Sequence, residues 1–320
     1  AVRVDSALPE PVTRVLPPGP DNALEVTGLS PIVTPNDRFY RIDTALVVPG
    51  PNPDIWSLKV TGLVDRELDL SLGDLQAMDL HEEYVTISCV SNKVGGGLVG
   101  NAKWTGVKLT DVLDMAGVRP EATQIVGRSV DGWTAGFPTG VAYDGREPLI
   151  ALGMNGEPLP RRHGFPARLI VPGLYGYVSA TKWLREIELT TWEDFDGYWV
   201  PRGWSKTGPI KTQSRIDYPR KGEQITGKPA VVAGVAWAPT LGIAGVEVRF
   251  NGGSWIPAEL STPLSDKAWV QWKAETEIEP GDYLVEVRAT DGTGTTQTAE
   301  VSEPAPDGAT GYHGVSFKAV

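Results

Sequence analysis

Cysteine occurs once in the 320 residues, at position 89, and histidine three times, at 81, 163 and 313. One cysteine permits no intrachain disulfide, which leaves the redox compartment open, since exported proteins need not contain disulfides. The three histidines lie far apart, with no cysteine or carboxylate spacing of the kind that holds zinc. Gly95-Gly96-Gly97 lacks the G-x-G-x-x-G spacing of a dinucleotide site. Neither a Walker-type lysine motif nor a G-x-S-x-G elbow occurs, so nucleotide-phosphate and serine-hydrolase chemistry lose their usual sequence support. No apolar run reaches the ~18 residues of a membrane-spanning helix. Ala1 to Pro20 shows no charged start followed by an apolar run, and the expectation is that any export signal or anchor has been removed or was never present. Localisation stays open, with an exported or periplasmic setting favoured over the cytoplasm. A net charge of −11 repels nucleic acid and anionic membranes alike, so neither is expected as a partner.

What the chain does have is a distinctive setting for its one thiol. Glu83 to Ser88 reads as a short buried strand, and Cys89 stands where that strand opens into the loop that carries Gly95, Gly96 and Gly97. Glycines there let the backbone approach a bulky group closely and adopt positive φ. On spacing alone the plainer alternative is a small buried hydrophobe without chemistry.

The length suggests two domains as a soft prior. Residues 1–34 form a proline-rich N-terminal arm, expected to lie over the first domain. Ile55 to Thr61 alternates apolar and polar residues as a half-buried strand does. Ser71 and Asp74 make a capped helix start, and Leu109, Val112, Leu113 and Ala116 form one helical face that Gly117 is placed to end. Gln124 to Val130 and Pro166 to Pro172 read as further strands. Short strands interleaved with short helices predict an α+β fold for residues 35–205. In residues 206–320 the character changes. Ala230 to Trp237, Val246 to Phe250, Trp255 to Leu260, Trp269 to Ala274, Tyr283 to Ala289 and Gln297 to Val301 read as strands, punctuated by Asn251-Gly252 and Asp291-Gly292 turns. That pattern predicts an all-β, immunoglobulin-like sandwich without its cysteine pair.

Cys89-Val90-Ser91-Asn92-Lys93, followed by Trp104-Thr105-Gly106-Val107, resembles the cysteine segment of the sulfite oxidase family of molybdopterin enzymes. Gly153 to Gly173, which includes Arg161-Arg162-His163-Gly164-Phe165-Pro166-Ala167-Arg168, resembles that family's second signature, and Ser179-Ala180-Thr181-Lys182-Trp183-Leu184 its third. Gly234-Val235-Ala236-Trp237 and the turn Asn251 to Trp255 resemble its C-terminal dimerisation domain. The resemblance implies a molybdopterin-binding domain of sulfite oxidase type, with Cys89 as the protein ligand to molybdenum. It places Tyr40 at the pterin and Arg41 toward the oxyanion. Ser129, Asp131, His163, Arg168, Ala180, Thr181 and Lys182 are implied as cofactor-binding residues. An arginine in the apolar strand around Arg168 requires a buried partner in any case, and basic side chains suit a pterin phosphate through charge-assisted hydrogen bonds. A soft thiolate suits a metal that the pterin dithiolene also holds.

The implied activity is two-electron oxygen-atom transfer on a small-molecule substrate. No haem is expected, because no b-type haem domain precedes residue 35 and three scattered histidines cannot supply the usual pair. Electrons then pass to or from an external partner, a haem protein or a quinone-linked one. A homodimer is an expectation of the same resemblance. The chain departs from the family at the substrate. Val94, beside Lys93, stands at a second arginine's position, Trp133 at a tyrosine's, and Gly242 or Ile243 at an arginine's. Arg41, Lys93 and Arg202 remain as cations, which predicts a less cationic, more aromatic pocket and a substrate such as a sulfoxide in preference to sulfite. The rival from another class is a non-catalytic binding or cell-surface module on a degenerate molybdopterin fold.

Overall fold

The computed structural model describes residues 7–226 and 228–320. In chain order the first elements are β1 (Ser57–Gly62), β2 (Leu68–Ser71), α1 (Leu72–Gln76), β3 (Leu80–Ser88), β4 (Val99–Lys108), α2 (Leu109–Ala116), β5 (Gln124–Ser129) and β6 (Thr134–Pro138). β7 (Leu149–Met154), β8 (Glu157–Pro158), β9 (Arg168–Ile170), α3 (Gly176–Ser179) and β10 (Leu184–Thr190) follow. The remaining strands are β11 (Gln213–Tyr218), β12 (Gln224–Ile225), β13 (Ala230–Trp237), β14 (Ile243–Phe250), β15 (Ile256–Pro257), β16 (Glu259–Leu260), β17 (Val270–Thr276), β18 (Gly281–Asp291) and β19 (His313–Ala319). No described helix is long and apolar enough to cross a membrane.

These strands build four sheets. The first runs β2-β1-β10-β5-β6, and the second β3-β4-β7-β8 with β9 paired to β7. Between them lies a core in which Leu58 and Val60 of β1 and Ile187 and Leu189 of β10 meet Ile150 and Leu152 of β7. Leu109, Val112, Leu113 and Ala116 of α2 join it, all buried as their helical spacing predicts. Gly117 ends α2 at φ 70°, a left-handed conformation that glycine adopts without strain. Ser71 caps α1 through a reciprocal pair with Asp74. The helices hold only 5, 8 and 4 residues, so the α+β expectation resolves into a mostly β unit.

β11-β13-β17-β16 and β12-β19-β18-β14-β15 form the C-terminal pair of sheets. Their shared core includes Val232, Trp272, Val248, Val287 and Phe317. Asn251 and Gly252 both take positive φ, 48° and 71°, the conformation a tight hairpin turn of this dipeptide requires. The expected strand from Trp255 to Leu260 is two pieces, β15 on β14 and β16 on β17, so the chain changes sheets around Ala258. Gln297 to Val301 is not a strand. There the Gln297 side chain takes the contacts, accepting from Ser214 Oγ at 2.6 Å and from the Ala289 amide at 2.8 Å. β11 and β19 had no counterpart in the expected set, although Val315, Phe317 and Ala319 alternate inward along β19. The arm crosses more than the first unit: the Leu24 amide donates to Gln271 Oε1 at 2.6 Å and the Ser30 amide to Asp217 Oδ2 at 3.0 Å, both in the C-terminal sheets.

Candidate active site

Cys89 follows the buried end of β3, where Val85, Thr86, Ile87 and Ser88 are each exposed by 2% or less. The loop after it ties itself shut. The Cys89 amide donates to Leu98 O at 2.9 Å, and Asn92 closes the inner turn by donating its amide to Cys89 O at 3.0 Å and accepting from the Leu98 amide at 2.8 Å. The thiol is thereby held at the wall of a cavity with 8% of the residue exposed. Burial raises its pKa, which hydrogen bonds from Ser91 partly offset.

Tyr40, Cys89, Ser129, Asp131, Trp133, His163, Arg168, Ala180 and Lys182 all line this one cavity. Tyr40 comes from the segment before β1 and stacks on Phe39 at 5.3 Å. Ser129, Asp131 and Trp133 come from the β5–β6 turn, which the Ser129 amide closes on Trp133 O at 2.9 Å and Asp131 Oδ1 braces on the Trp133 amide at 3.1 Å. Ala180 and Lys182 sit between α3 and β10.

Two expected residues stand elsewhere. Arg41 does not line the cavity; its Nε donates to Asp43 Oδ2 at 2.8 Å and its side chain is one third exposed. Thr181 is fully buried behind the wall against Gly127 of β5, with its hydroxyl unpartnered. Tyr177, Trp199 and Trp204 line the cavity without having been assigned to it. Trp199 and Trp204 lie in a loop whose tryptophans and basic residues stand out in the sequence, and Tyr177 lies just before the third signature. Those were the available signals.

The electrostatics of the rear wall are unusual for a protein interior. Arg168 is 5% exposed, and among the described residues no carboxylate pairs with it. Its Nη1 donates to His163 O at 3.1 Å, its guanidinium lies 5.1 Å from the Trp104 ring centre, and its Nε has no partner. Burial pulls its pKa down to about 10. Lys182 donates to Asp43 Oδ2 at 2.6 Å, so Asp43 bridges Arg41 and Lys182. Burial, and then the neighbouring Arg168, lower the Lys182 pKa to about 8. His163 Nε2 must be the donor to Asn36 O at 2.8 Å, because a carbonyl only accepts, and Nδ1 is left without a proton. Burial is the main reason its pKa falls to about 4. Burial and the nearby thiol raise the Tyr40 phenol.

A buried guanidinium with an unmet donor and a second cation beside it calls for an anion that the chain does not itself supply. Cys89 is a lone soft donor: among the described residues no group of three or more His, Cys, Asp or Glu side chains could hold a metal ion. A metal at Cys89 would therefore draw its remaining ligands from a cofactor, and a cofactor with both sulfur ligands and a phosphate fits this wall.

Fold and site together define a domain built to hold a metal-bearing, phosphorylated cofactor. Residues 45–199 match the family described as oxidoreductase molybdopterin binding domain. Mitochondrial sulfite oxidase of Rattus norvegicus is 30% identical over 297 residues, covering 77% of this chain and 53% of that protein. An uncharacterized oxidoreductase, YuiH, of Bacillus subtilis (strain 168) is 38% identical over 153 residues, covering 48% of this chain and 74% of that one. In the crystal structure of the sulfane dehydrogenase SoxCD from Paracoccus pantotrophus, a chain superimposes with a TM-score of 0.75 at 24% identity, over 92% of this chain and 82% of that one, a likeness of fold. The chain belongs to the sulfite oxidase family of molybdopterin oxidoreductases. It spans about half the length of the mammalian sulfite oxidases it matches.

Proposed function

We propose that the protein catalyses two-electron oxygen-atom transfer on a small neutral oxo-donor or oxo-acceptor, such as a sulfoxide, and exchanges electrons with a separate haem protein or quinone-linked partner. The observation that carries the reading is Arg168, buried and without a counter-charge, in the same cavity as the only thiol. When bound, the molybdenum centre supplies the oxygen-atom exchange itself. Cys89 offers the thiolate ligand, and its burial keeps water from competing for that position. Arg168 and Lys182 hold the pterin phosphate by charge-assisted hydrogen bonds. His163 stays neutral at pH 7 and has Nδ1 free to accept, while Tyr40, Ser129, Asp131 and Ala180 shape the wall around the pterin.

The substrate reading rests on which cations reach the cavity. None of Arg41, Lys93 and Arg202 lines it. Arg41 is bound to Asp43, Lys93 lies 3.7 Å from Glu303 on the surface, and Arg202 donates to Tyr198 O with its guanidinium 3.7 Å from that residue's ring centre. Trp133, Tyr177, Trp199 and Trp204 take the space instead. With Arg168 and Lys182 taken by the pterin phosphate, a sulfite dianion moved into such a pocket would give up hydration without gaining a further paired cation, a cost of several kcal/mol per charge. Steady-state kinetics with an artificial electron carrier test this. Sulfoxide turnover should exceed sulfite turnover, and a sulfite kcat/KM above about 10⁵ M⁻¹s⁻¹, inside the range of natural substrates, would overturn the preference. The C-terminal pair of sheets supports the further reading of an immunoglobulin-like dimerisation unit, which light scattering giving the mass of one chain at every concentration would reject.

A further inference from the structure

The loop that follows Cys89 is gripped from outside its own sheet. Arg215 of β11 donates Nη1 to Gly96 O at 3.0 Å, Nη2 to Ser30 Oγ of the arm at 2.9 Å, and Nε to Asp217 Oδ1 at 2.6 Å, and its side chain is 11% exposed. His313, the first residue of β19, lies with the edge of its ring directly on Gly95. Its Nδ1 accepts from the Ile216 amide at 2.9 Å, which fixes that nitrogen as the unprotonated one. Gly95 takes φ 76°, and a Cβ there would overlap the imidazole. A Cβ on Gly96 would strike Asn92 Oδ1, the acceptor that closes the cysteine turn, whereas Gly97 has open space around it. Two of the three consecutive glycines therefore admit close contacts, one with the C-terminal sheets and one with the turn that carries Cys89.

We infer that Arg215 and His313 are positioning residues for Cys89: the C-terminal sheets clamp the 92–98 loop, and through Asn92 and Leu98 the clamp sets where the thiol stands in the cavity. Neither side chain touches the cavity, so the effect passes through the loop backbone. The chain of contacts is short. Arg215 and His313 hold Gly96 and Gly95, the Gly96 amide donates to Lys93 O at 2.8 Å, and Leu98 bonds both Asn92 and Cys89. Burial and the adjacent Arg215 lower the His313 pKa, in keeping with a neutral ring that accepts through Nδ1. The inference rests on the reading of Cys89 as the metal-facing ligand.

The test uses the full chain without cofactor and reads amide hydrogen exchange in residues 92–98 against exchange in β13 and β17. Replacing Arg215→Met together with Asp217→Asn removes the clamp without leaving a buried carboxylate unpaired. His313→Asn keeps an acceptor near the Ile216 amide and removes the ring from Gly95. Each should speed loop exchange by about tenfold, the factor expected from the loss of one hydrogen bond by a charged donor or of a comparable contact, with β13 and β17 unchanged. Iodoacetamide labelling of the sole thiol should quicken in parallel. Ser30→Ala, which cuts only the tie to the arm, should move neither. Loop exchange that does not change, or that rises only in step with β13 and β17, would overturn the clamp. Cys89→Ser separates the two readings: a molybdenum X-ray absorption spectrum of the cofactor-loaded variant with as many sulfur neighbours as the wild type would remove the ligand assignment and leave the exchange result standing.

Discussion

Arg168 shows how one residue can be expensive for the empty protein and necessary for the loaded one. A guanidinium with 5% exposure and an unmet Nε has lost its hydration without a paired carboxylate. Arg168→Met should therefore raise the stability of cofactor-free protein by about 1–2 kcal/mol, while cofactor retained through purification falls by roughly tenfold or more as charge-assisted bonds to the phosphate are lost. Urea unfolding and metal analysis of the same preparation check both; lower stability without cofactor would mean that an anion is not what the site awaits. His163 gives the matching pH signature. Its pKa near 4 lies below the ordinary 6.5, so between those values the unfolded chain binds the extra proton and stability is lost as pH falls. The loss should approach about 3 kcal/mol by pH 4, and His163→Gln should remove that part of the acid sensitivity while keeping a side-chain donor for Asn36 O. Equal slopes of stability against pH in wild type and variant would reject it. At this scale the sequence was informative about placement where residues stand in an ordered block, since Cys89, His163, Arg168 and Lys182 line one cavity. It was less so where a neighbour decides the role. Arg41 has the right identity, but Asp43 two residues on takes its charge, and Trp199 and Trp204 reach the cavity through a loop whose path no local pattern encodes.

At the level of elements, α2 is the clearest case of local rules agreeing with packing. Its four apolar residues at helical spacing are all buried, and Gly117 stops the helix where αL geometry is needed. Leu113→Ala should cost about 3 kcal/mol, because a fully buried leucine leaves a cavity that its neighbours fill only partly. A loss of less than about 1 kcal/mol in unfolding free energy, taken from the denaturation midpoint and slope, would show that the site collapses around the loss. The strands were legible in proportion to their alternation and length. β13 runs from Ala230 to Trp237 as its apolar run predicts. Gln297 to Val301 makes one backbone bond to β18, from the Gln297 amide to Ala289 O at 2.9 Å, and the Gln297 side chain bonds Ser214 and the Ala289 amide in place of a continued ladder. The glycines at 95 to 97 were read as clearance for a bulky group near the thiol, and Gly95 does give such clearance, to the His313 ring from the far end of the chain. A strand-end histidine more than two hundred residues away leaves no trace in the local sequence.

On the scale of the whole molecule, each pair of sheets has its own apolar core, and the seam between them runs beside the cysteine strand. Val235 and Trp237 of β13, together with Trp269, pack into the core of the first unit. Lys267 and Glu83 meet across the seam at 2.6 Å, with the lysine 6% exposed. β3 is engaged along its outer edge as well: the Thr86 amide donates to Lys267 O at 3.0 Å, and Thr86 Oγ1 accepts from the Trp269 amide at 2.7 Å. Trp269 also reaches the arm, donating Nε1 to Ile32 O at 2.8 Å, so one residue ties the arm through its side chain and β3 through its backbone amide. A seam this apolar, hydrogen-bonded at Thr86 and Trp269 even though Trp237 Nε1 has no partner, should make the units unfold together, although chains of this length commonly unfold in stages. The expected result for cofactor-free wild type is one transition, coincident by tryptophan fluorescence and far-ultraviolet circular dichroism. Trp269→Ala removes a side chain 2% exposed and should cost about 3–5 kcal/mol. Because that loss falls on the seam and spares the centre of either core, the variant should also show two transitions where the wild type shows one. Two separate transitions in the wild type would mean that the seam does not couple the units. A single transition in the variant, merely moved to lower denaturant, would place the coupling in the Lys267–Glu83 pair and the arm.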